Sequence, residues 1–232
     1  MRNRVWDILF PRRCGVCDKA LAKYEQGICS ECIKKAVYIE EPVCVKCGRP
    51  ITGMTVLCSD CMKNRREFEA GRFPLSYEWI GNSVYRFKYM NRPEYVTYYA
   101  DVIMDKLGDF IKCINADAFV PVPLHKKRLA KRGYNQAEEL SKELSKRTGI
   151  PTVANCVQRS RNTIPQKKFN KKARLINMKK AFIVRENSVK LKTIIVVDDI
   201  FTTGSTINSL SRELKASGVG KIYFITITAA GT

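Results

Sequence analysis

Apolar residues in this chain fall into two rhythms. From about residue 116 onward, short continuous apolar runs alternate with stretches where apolar residues recur every three or four positions. The runs at 116–120, 181–184, 192–197 and 221–228 have the length and density of strands covered on both faces. Stretches 135–147 and 206–216 carry helical spacing, the first closed by Gly149-Ile150-Pro151 and the second by Gly218. Upstream, Tyr95, Tyr98, Val102, Leu107 and Ile111 predict an amphipathic helix over 94–113, and 75–80 reads as a short strand. Strands alternating with helices predict an α/β fold with a mainly parallel sheet flanked by helices. Between the strands lies a long polar, basic stretch, 158–180.

Residues 1–70 follow neither rhythm. They hold four Cys-x-x-Cys pairs, Cys14/Cys17, Cys29/Cys32, Cys44/Cys47 and Cys58/Cys61. Two residues between thiolates let one tight turn offer both sulfurs to a single tetrahedral ion, and two such knuckles complete a four-thiolate zinc site. A closed site of this kind is structural, because no position is left for substrate. The region repeats itself: the opening pairs are offset by 30 residues, the closing pairs by 29, and Gly27-Ile28-Cys29-Ser30-Glu31-Cys32 returns as Val56-Leu57-Cys58-Ser59-Asp60-Cys61. A unit that folds before it is duplicated binds its own ion. This favours sequential sites, Cys14/Cys17/Cys29/Cys32 and Cys44/Cys47/Cys58/Cys61, over a crossed arrangement, and zinc over redox dithiols. The chain thus divides into a double zinc-ribbon module, 1–70, and an α/β domain, 71–232. Cys113 and Cys156 stand apart and read as small buried hydrophobes.

Charge changes the picture. Lys and Arg number 42 against 22 Asp and Glu, a net charge of +20, and residues 71–232 hold 29 of the bases and 13 of the acids. With 45% hydrophobic and 28% charged residues the chain is globular in composition, so the excess predicts a polyanionic partner. No run approaches the roughly 18 apolar residues of a membrane span. The segment before Pro11 lacks the apolar core of a signal peptide and reads as a short amphipathic helix, which makes the cytoplasm the expected location without membrane insertion. Residues 125–180 carry 17 Lys/Arg and 3 acids, with Tyr134 and Phe169 interleaved. A cationic groove with stacking aromatics is how single-stranded DNA is held without regard to sequence.

The most specific signal is Ile194-Ile195-Val196-Val197-Asp198-Asp199-Ile200-Phe201-Thr202-Thr203-Gly204-Ser205-Thr206. A strand leads to two acids and then to a Thr/Gly/Ser loop that opens a helix. The amides and hydroxyls of Thr202, Thr203, Gly204, Ser205 and Thr206, at the positive end of the helix dipole, form a cradle for phosphate. Asp198 and Asp199 are placed to accept hydrogen bonds from vicinal ribose hydroxyls. No Gly-x-x-x-x-Gly-Lys or Gly-x-Gly-x-x-Gly is present.

This segment resembles the signature of type I phosphoribosyltransferases, which bind phosphoribosyl pyrophosphate (PRPP) with Mg²⁺. Further segments resemble the ComF family of competence-associated proteins: Pro121-Val122-Pro123-Leu124-His125 with Arg128 and Arg132-Gly133-Tyr134-Asn135-Gln136, then Arg159-x-Arg161-x-Thr163-x-Pro165-Gln166, Arg174 and Asn177. With the doubled cysteine unit, the resemblance covers essentially the whole chain. It implies that the loop after strand 116–120, with Lys126, Lys127, Arg128 and Arg132, meets pyrophosphate. It implies that 158–180 is a hood whose working residues are Arg159, Arg161, Gln166 and Arg174. His125 binds phosphate or caps the loop, and Arg72, Arg86, Lys88 and Arg92 extend the basic face or are solvated helix surface. The implied function is binding of PRPP and single-stranded DNA during DNA uptake in natural transformation, beside a helicase-like DNA translocase. The alternative is an active, amidophosphoribosyltransferase-like enzyme, for which these residues show no nucleophile site. The zinc module is expected to rigidify the N-terminus or dock a protein partner.

Overall fold

The computed structural model describes residues 11–160, 181–185 and 191–232. The predicted helix before Pro11 falls almost wholly outside them. Two cysteine units come first, each closing with a short helix: α1 (Ser30–Ile33) and α2 (Ser59–Lys63). The remainder is built on one parallel sheet. Its strands are β1 (Gly71–Arg72), β2 (Leu75–Ser76), β3 (Ala118–Pro121), β6 (Thr193–Phe201) and β7 (Lys221–Ala229), in the order β1-β7-β6-β3 with β2 also on β7. A separate antiparallel pair is formed by β4 (Val157–Arg159) and β5 (Phe182–Val184).

Helices α3 (Tyr77–Tyr89), α4 (Tyr95–Ile114), α5 (Lys126–Arg132), α6 (Gln136–Thr148) and α7 (Ser205–Ala216) supply the rest. The predicted helices at 94–113, 135–147 and 206–216 are present within a residue or so at each end. Their stops have clear causes. Asn115 ends α4 in the left-handed region at φ 49°, and Gly149 ends α6 at φ 77°. Asn135 starts α6 by accepting a hydrogen bond from the Ala137 amide at 3.3 Å.

Three expectations need correction. The stretch 75–80 is strand only over its first two residues, because Ile80, Val84 and Phe87 recur at helical spacing and bury one face of α3. The basic loop after β3 is in fact helix α5, and His125 is its cap, its Nδ1 accepting from the Lys127 amide at 3.3 Å. Cys156 is buried as expected, whereas Cys113 is exposed near the end of α4.

Alternation along β6 divides the interior. Ile195 and Val197 face a core shared with α3, α4 and α6, through Phe87, Tyr99, Ile103, Leu140 and Leu144. Ile194 and Val196 face a second core with Leu210 and Leu214 of α7. The first cysteine unit joins the first core through Cys14, Val16 and Cys29, and the second unit joins the second through Cys44, Cys47 and Cys61. The duplicated units therefore lie against opposite faces of one sheet. Among the described residues, no helix is long and apolar enough to cross a membrane.

Candidate functional site

The cysteines sort as the repeat predicts. Cys14, Cys17, Cys29 and Cys32 form one cluster, Cys44, Cys47, Cys58 and Cys61 the other, and within each the four sulfurs lie inside 4.8 Å of one another. Cys17 and Cys29 are 3.7 Å apart and Cys47 and Cys58 3.6 Å. A tetrahedral zinc with sulfurs at about 2.3 Å requires about 3.8 Å between them, so the residues fit the ion. Amides of Val16 and Cys29 point at the Cys14 sulfur at 3.4 Å, as a thiolate acceptor needs. Burial works against ionising Cys44, but the amides of Cys58, Cys47 and Lys46 prevail and bring its thiol down to about 7.

The acid pair does not follow β6 but lies within it. The strand runs on to Phe201, pairing Asp198 with Thr226 and Phe201 with Ala229 of β7, so the carboxylates sit on rigid backbone. Lys88 of α3 reaches Asp199 at 2.8 Å, with side chains only 16% and 13% exposed. The Asp199 amide donates to Asp198 Oδ1 at 2.9 Å. Burial, and then the neighbouring Asp199 charge, push the Asp198 carboxyl up to about 7 against the pull of Lys88 and Arg159. Arg159, at the end of β4, is held below its usual value by burial and by the like charge of Arg128, with Asp198 opposing. Its guanidinium lies 5.4 Å from the centre of the Phe182 ring. The fold thus gathers Asp198, Asp199, Lys88, Arg128 and Arg159 from four elements.

Beyond Phe201 the chain turns at Thr202 and Thr203, both exposed, and Gly204, at φ 73°, leads into α7. The Thr203 hydroxyl donates to Ser205 Oγ at 3.1 Å, and the Ser205 amide donates back to Thr203 Oγ1 at 3.4 Å. The loop is therefore exposed at the N-terminus of a 12-residue helix, an arrangement chemically able to hold an anion. Gly204 is favoured twice over: its positive φ is one that side-chain-bearing residues rarely adopt, and a Cβ there would lie 2.8 Å from the Phe201 ring.

Other expected residues are placed as follows. Lys126 and Lys127 project from the exposed face of α5. Arg132 is engaged elsewhere, donating to Gln136 Oε1 at 3.0 Å and to the Tyr89 hydroxyl at 3.1 Å. Tyr134 turns inward and donates to the Phe87 carbonyl, so it is no stacking surface. Arg161, Gln166, Phe169 and Arg174 lie outside the described residues. Exposed aromatics occur on α3 instead: Tyr85 and Tyr89 are each 55% exposed, their ring centres 5.0 Å apart, with the Arg132 guanidinium 4.8 Å from the Tyr89 ring centre. Their i, i+4 spacing is visible in the sequence once 77–89 is read as helix. Arg49 and Arg66, from the second cysteine unit, donate to the carbonyls of Thr202 and Thr203. No sequence signal pointed to these two.

A parallel sheet with an acid pair leading into a helix-capping phosphate loop, behind two four-cysteine centres, defines a phosphoribosyltransferase-type domain joined to a double zinc ribbon. Comparison with known proteins agrees. The double zinc ribbon domain family matches residues 5–62, and the phosphoribosyl transferase domain family matches 129–232. The chain is 32% identical to "Competence protein F" of Haemophilus influenzae, over 92% of this chain and 95% of that one. It is 26% identical to "DNA utilization protein YhgH" of Escherichia coli K12 over 91% of this chain and 94% of that one, and 28% identical to "Competence protein ComFC" of Bacillus subtilis over 85% and 82%. The chain belongs to the ComF family of competence-associated proteins.

Proposed function

We propose that this protein serves DNA uptake or utilization, holding PRPP at the β6–α7 turn and single-stranded DNA on the adjoining basic surface. The observation that carries the first half is the acid pair Asp198-Asp199, half-buried on β6 and separated by two residues from a phosphate cradle. Carboxylates accept hydrogen bonds from the ribose 2- and 3-hydroxyls, and the loop amides with the α7 dipole hold the 5-phosphate. The diphosphate extends towards Lys126, Lys127 and Arg128. Mg²⁺ bound with it would neutralise diphosphate charge.

The DNA reading is supported by α5, whose seven residues include five cations and no acid, lying beside the Tyr85–Tyr89 pair. Phosphates meet the cations and bases stack on the rings. The names of the relatives, a competence protein and a DNA utilization protein, agree with this chemistry. The test is a titration of zinc-loaded protein with labelled single-stranded DNA, with and without Mg²⁺-PRPP, alongside calorimetry with PRPP. The expected result is micromolar or tighter PRPP binding, abolished in an Asp198→Asn/Asp199→Asn double variant, with DNA affinity lowered by PRPP. No heat of PRPP binding overturns the first half, and DNA affinity indifferent to salt overturns the second.

A second reading, phosphoribosyl transfer, is favoured by the half-buried Arg159, which feels the charges of both Arg128 and Asp198. Cations there stabilise the charge that builds on a departing diphosphate. Pyrophosphate release from PRPP in the presence of amine, base or DNA acceptors separates it from binding alone.

A further inference from the structure

The two zinc units differ in what they touch. The first docks on helices. Ser83 and Arg86 of α3 donate to the carbonyls of Gly15 and Val16, Tyr95 of α4 donates to Asp18 at 2.5 Å, and Arg92 pairs with Asp18 at 3.2 Å. Gly15 lies so close to α4 that a Cβ would come within 2.9 Å of the Tyr98 ring.

The second unit docks on the phosphate loop. Arg49, two residues beyond Cys47, donates to the Thr202 carbonyl, and its guanidinium lies 5.6 Å from the centre of the Phe201 ring. Arg66 is held by three groups at once. One nitrogen donates to the Thr203 carbonyl at 3.0 Å, a second pairs with Asp60 of α2, and the guanidinium faces the Cys61 sulfur. The Glu67 amide donates to Asn208 Oδ1 in the first turn of α7 at 2.7 Å. Behind the loop, Phe201 stacks on Phe224 at 4.8 Å, and Phe68 meets Phe224 edge-on at 4.9 Å.

These contacts have a chemical logic. A phosphate cradle needs its amide N–H groups aimed at the anion, which requires the carbonyls of the same peptides to point the other way. Carbonyls turned back into protein need donors there, and two arginines of the second unit supply them at consecutive residues. Planar guanidinium groups do this where an ammonium cannot, since Arg66 must reach Asp60, Thr203 and the Cys61 sulfur together.

We infer that Arg49 and Arg66 are positioning residues for the phosphate loop, so that a folded second zinc site, but not the first, fixes the loop that takes the 5-phosphate. The inference rests on the PRPP reading for its ligand, but the orientation of the loop can be read without any ligand. The test compares wild type with Arg49→Gln, Arg66→Gln and Arg66→Lys as full-length, zinc-loaded proteins. Three readouts are taken: zinc content, amide hydrogen exchange of the peptide spanning 202–208 in the free protein, and calorimetric affinity for ribose 5-phosphate.

The expected result is two zinc ions per chain throughout. Exchange at 202–208 should be faster in both glutamine variants, with the 14–32 region unchanged. Affinity should fall by about tenfold or more, the scale of losing a hydrogen bond from a charged donor. Arg66→Lys should behave like Arg66→Gln, because charge without the forked geometry does not span the three partners. Cys14→Ser/Cys17→Ser should lose one zinc and leave exchange at 202–208 at the wild-type rate. Unchanged loop exchange in both glutamine variants overturns the inference, as does full rescue by Arg66→Lys. If wild type does not bind ribose 5-phosphate although the loop loosens as expected, the PRPP reading fails and the bracing role stands.

Discussion

Replacing Lys88 with methionine removes one charge from the acid pair and keeps most of the side-chain volume. At 2.8 Å from Asp199, with both side chains mostly covered, the gross attraction at an effective dielectric near 20 is about 6 kcal/mol. Part of that repays the cost of stripping water from the lysine, and removing one partner of such a pair typically costs about 3–5 kcal/mol. Some water still reaches both groups, which places the expected loss near the lower figure, about 3 kcal/mol at pH 8. For a chain of this size that lowers the melting temperature by about 6–12 °C.

The pH dependence gives the sharper test. Asp198, with its carboxyl pushed up to about 7, already takes up a proton near neutrality. Without Lys88 the pair holds that proton to higher pH, so at acid pH the variant carries less unpaired charge than at pH 8. The destabilisation should therefore shrink as pH falls from 8 to 5.5. Paired thermal melts of the two proteins at both pH values measure it. An equal loss at both pH values, or no loss at pH 8, would show that Lys88 is not the counterion described here.

Other outcomes follow from the same geometry. A carboxyl titrating near 7 is about one-tenth ionised at pH 6 and nine-tenths at pH 8, so ribose 5-phosphate affinity should rise by about tenfold across that interval; calorimetry with Asp198→Asn should show the slope gone. For the protein alone the sign is reversed. An acid whose folded value lies above its unfolded one contributes stability below the unfolded value, and that contribution is lost as pH rises towards 7. Replacing Tyr85 and Tyr89 together with alanine should weaken single-stranded DNA by about 1–3 kcal/mol per lost stack, leaving the salt slope of binding intact; Lys126→Gln/Lys127→Gln should instead flatten that slope in an anisotropy titration. Gly71→Ala places a Cβ within 1.9 Å of the Phe224 ring, and overpacking of this kind costs about 1–3 kcal/mol or more, visible as a lower midpoint in urea.

Much of the fold is legible in the sequence because the sheet is buried on both faces. Ile194 to Val197 form an unbroken apolar run that only a covered parallel strand explains, and Asn135 with Gly149 brackets its helix with local chemistry. The cysteine pairing is legible for a different reason, since offsets of 30 and 29 record a duplication. What failed to show was tertiary. Residues 75–80 contain Leu, Tyr, Trp and Ile, which fit a strand as well as a helix until Val84 and Phe87 are counted with them. That misreading hid α3, and with it both the lysine facing Asp199 and the exposed tyrosine pair. Tyr134 erred the other way: an aromatic in a basic run looks solvent-facing, but its hydroxyl finds the Phe87 carbonyl. The phosphate loop was legible because its residues are contiguous; its braces, 153 and 137 positions away, were not.

The repeat itself carries the last step. Register between the two cysteine units sets Arg49 against Lys19 and Arg66 against Val37. The backbone role at the first pair is shared, for the carbonyls of Lys19 and Arg49 accept from the amides of Cys14 and Cys44 at 2.8 Å. The side chains diverge. In the second unit they became guanidinium groups with planar reach to the phosphate loop; in the first, the exposed Val37 has nothing to offer an anion site, and that unit instead offers Gly15, Val16 and Asp18 to α3 and α4. A duplication whose halves had only to stiffen the N-terminus would have no reason to separate in this way. Opposite faces of one sheet give the reason: one copy meets the helices that present Lys88 to the acid pair, the other meets the loop. The ribose end and the phosphate end of the site are thereby supported by different metal centres, so losing one ion should impair the pocket at one end before the other.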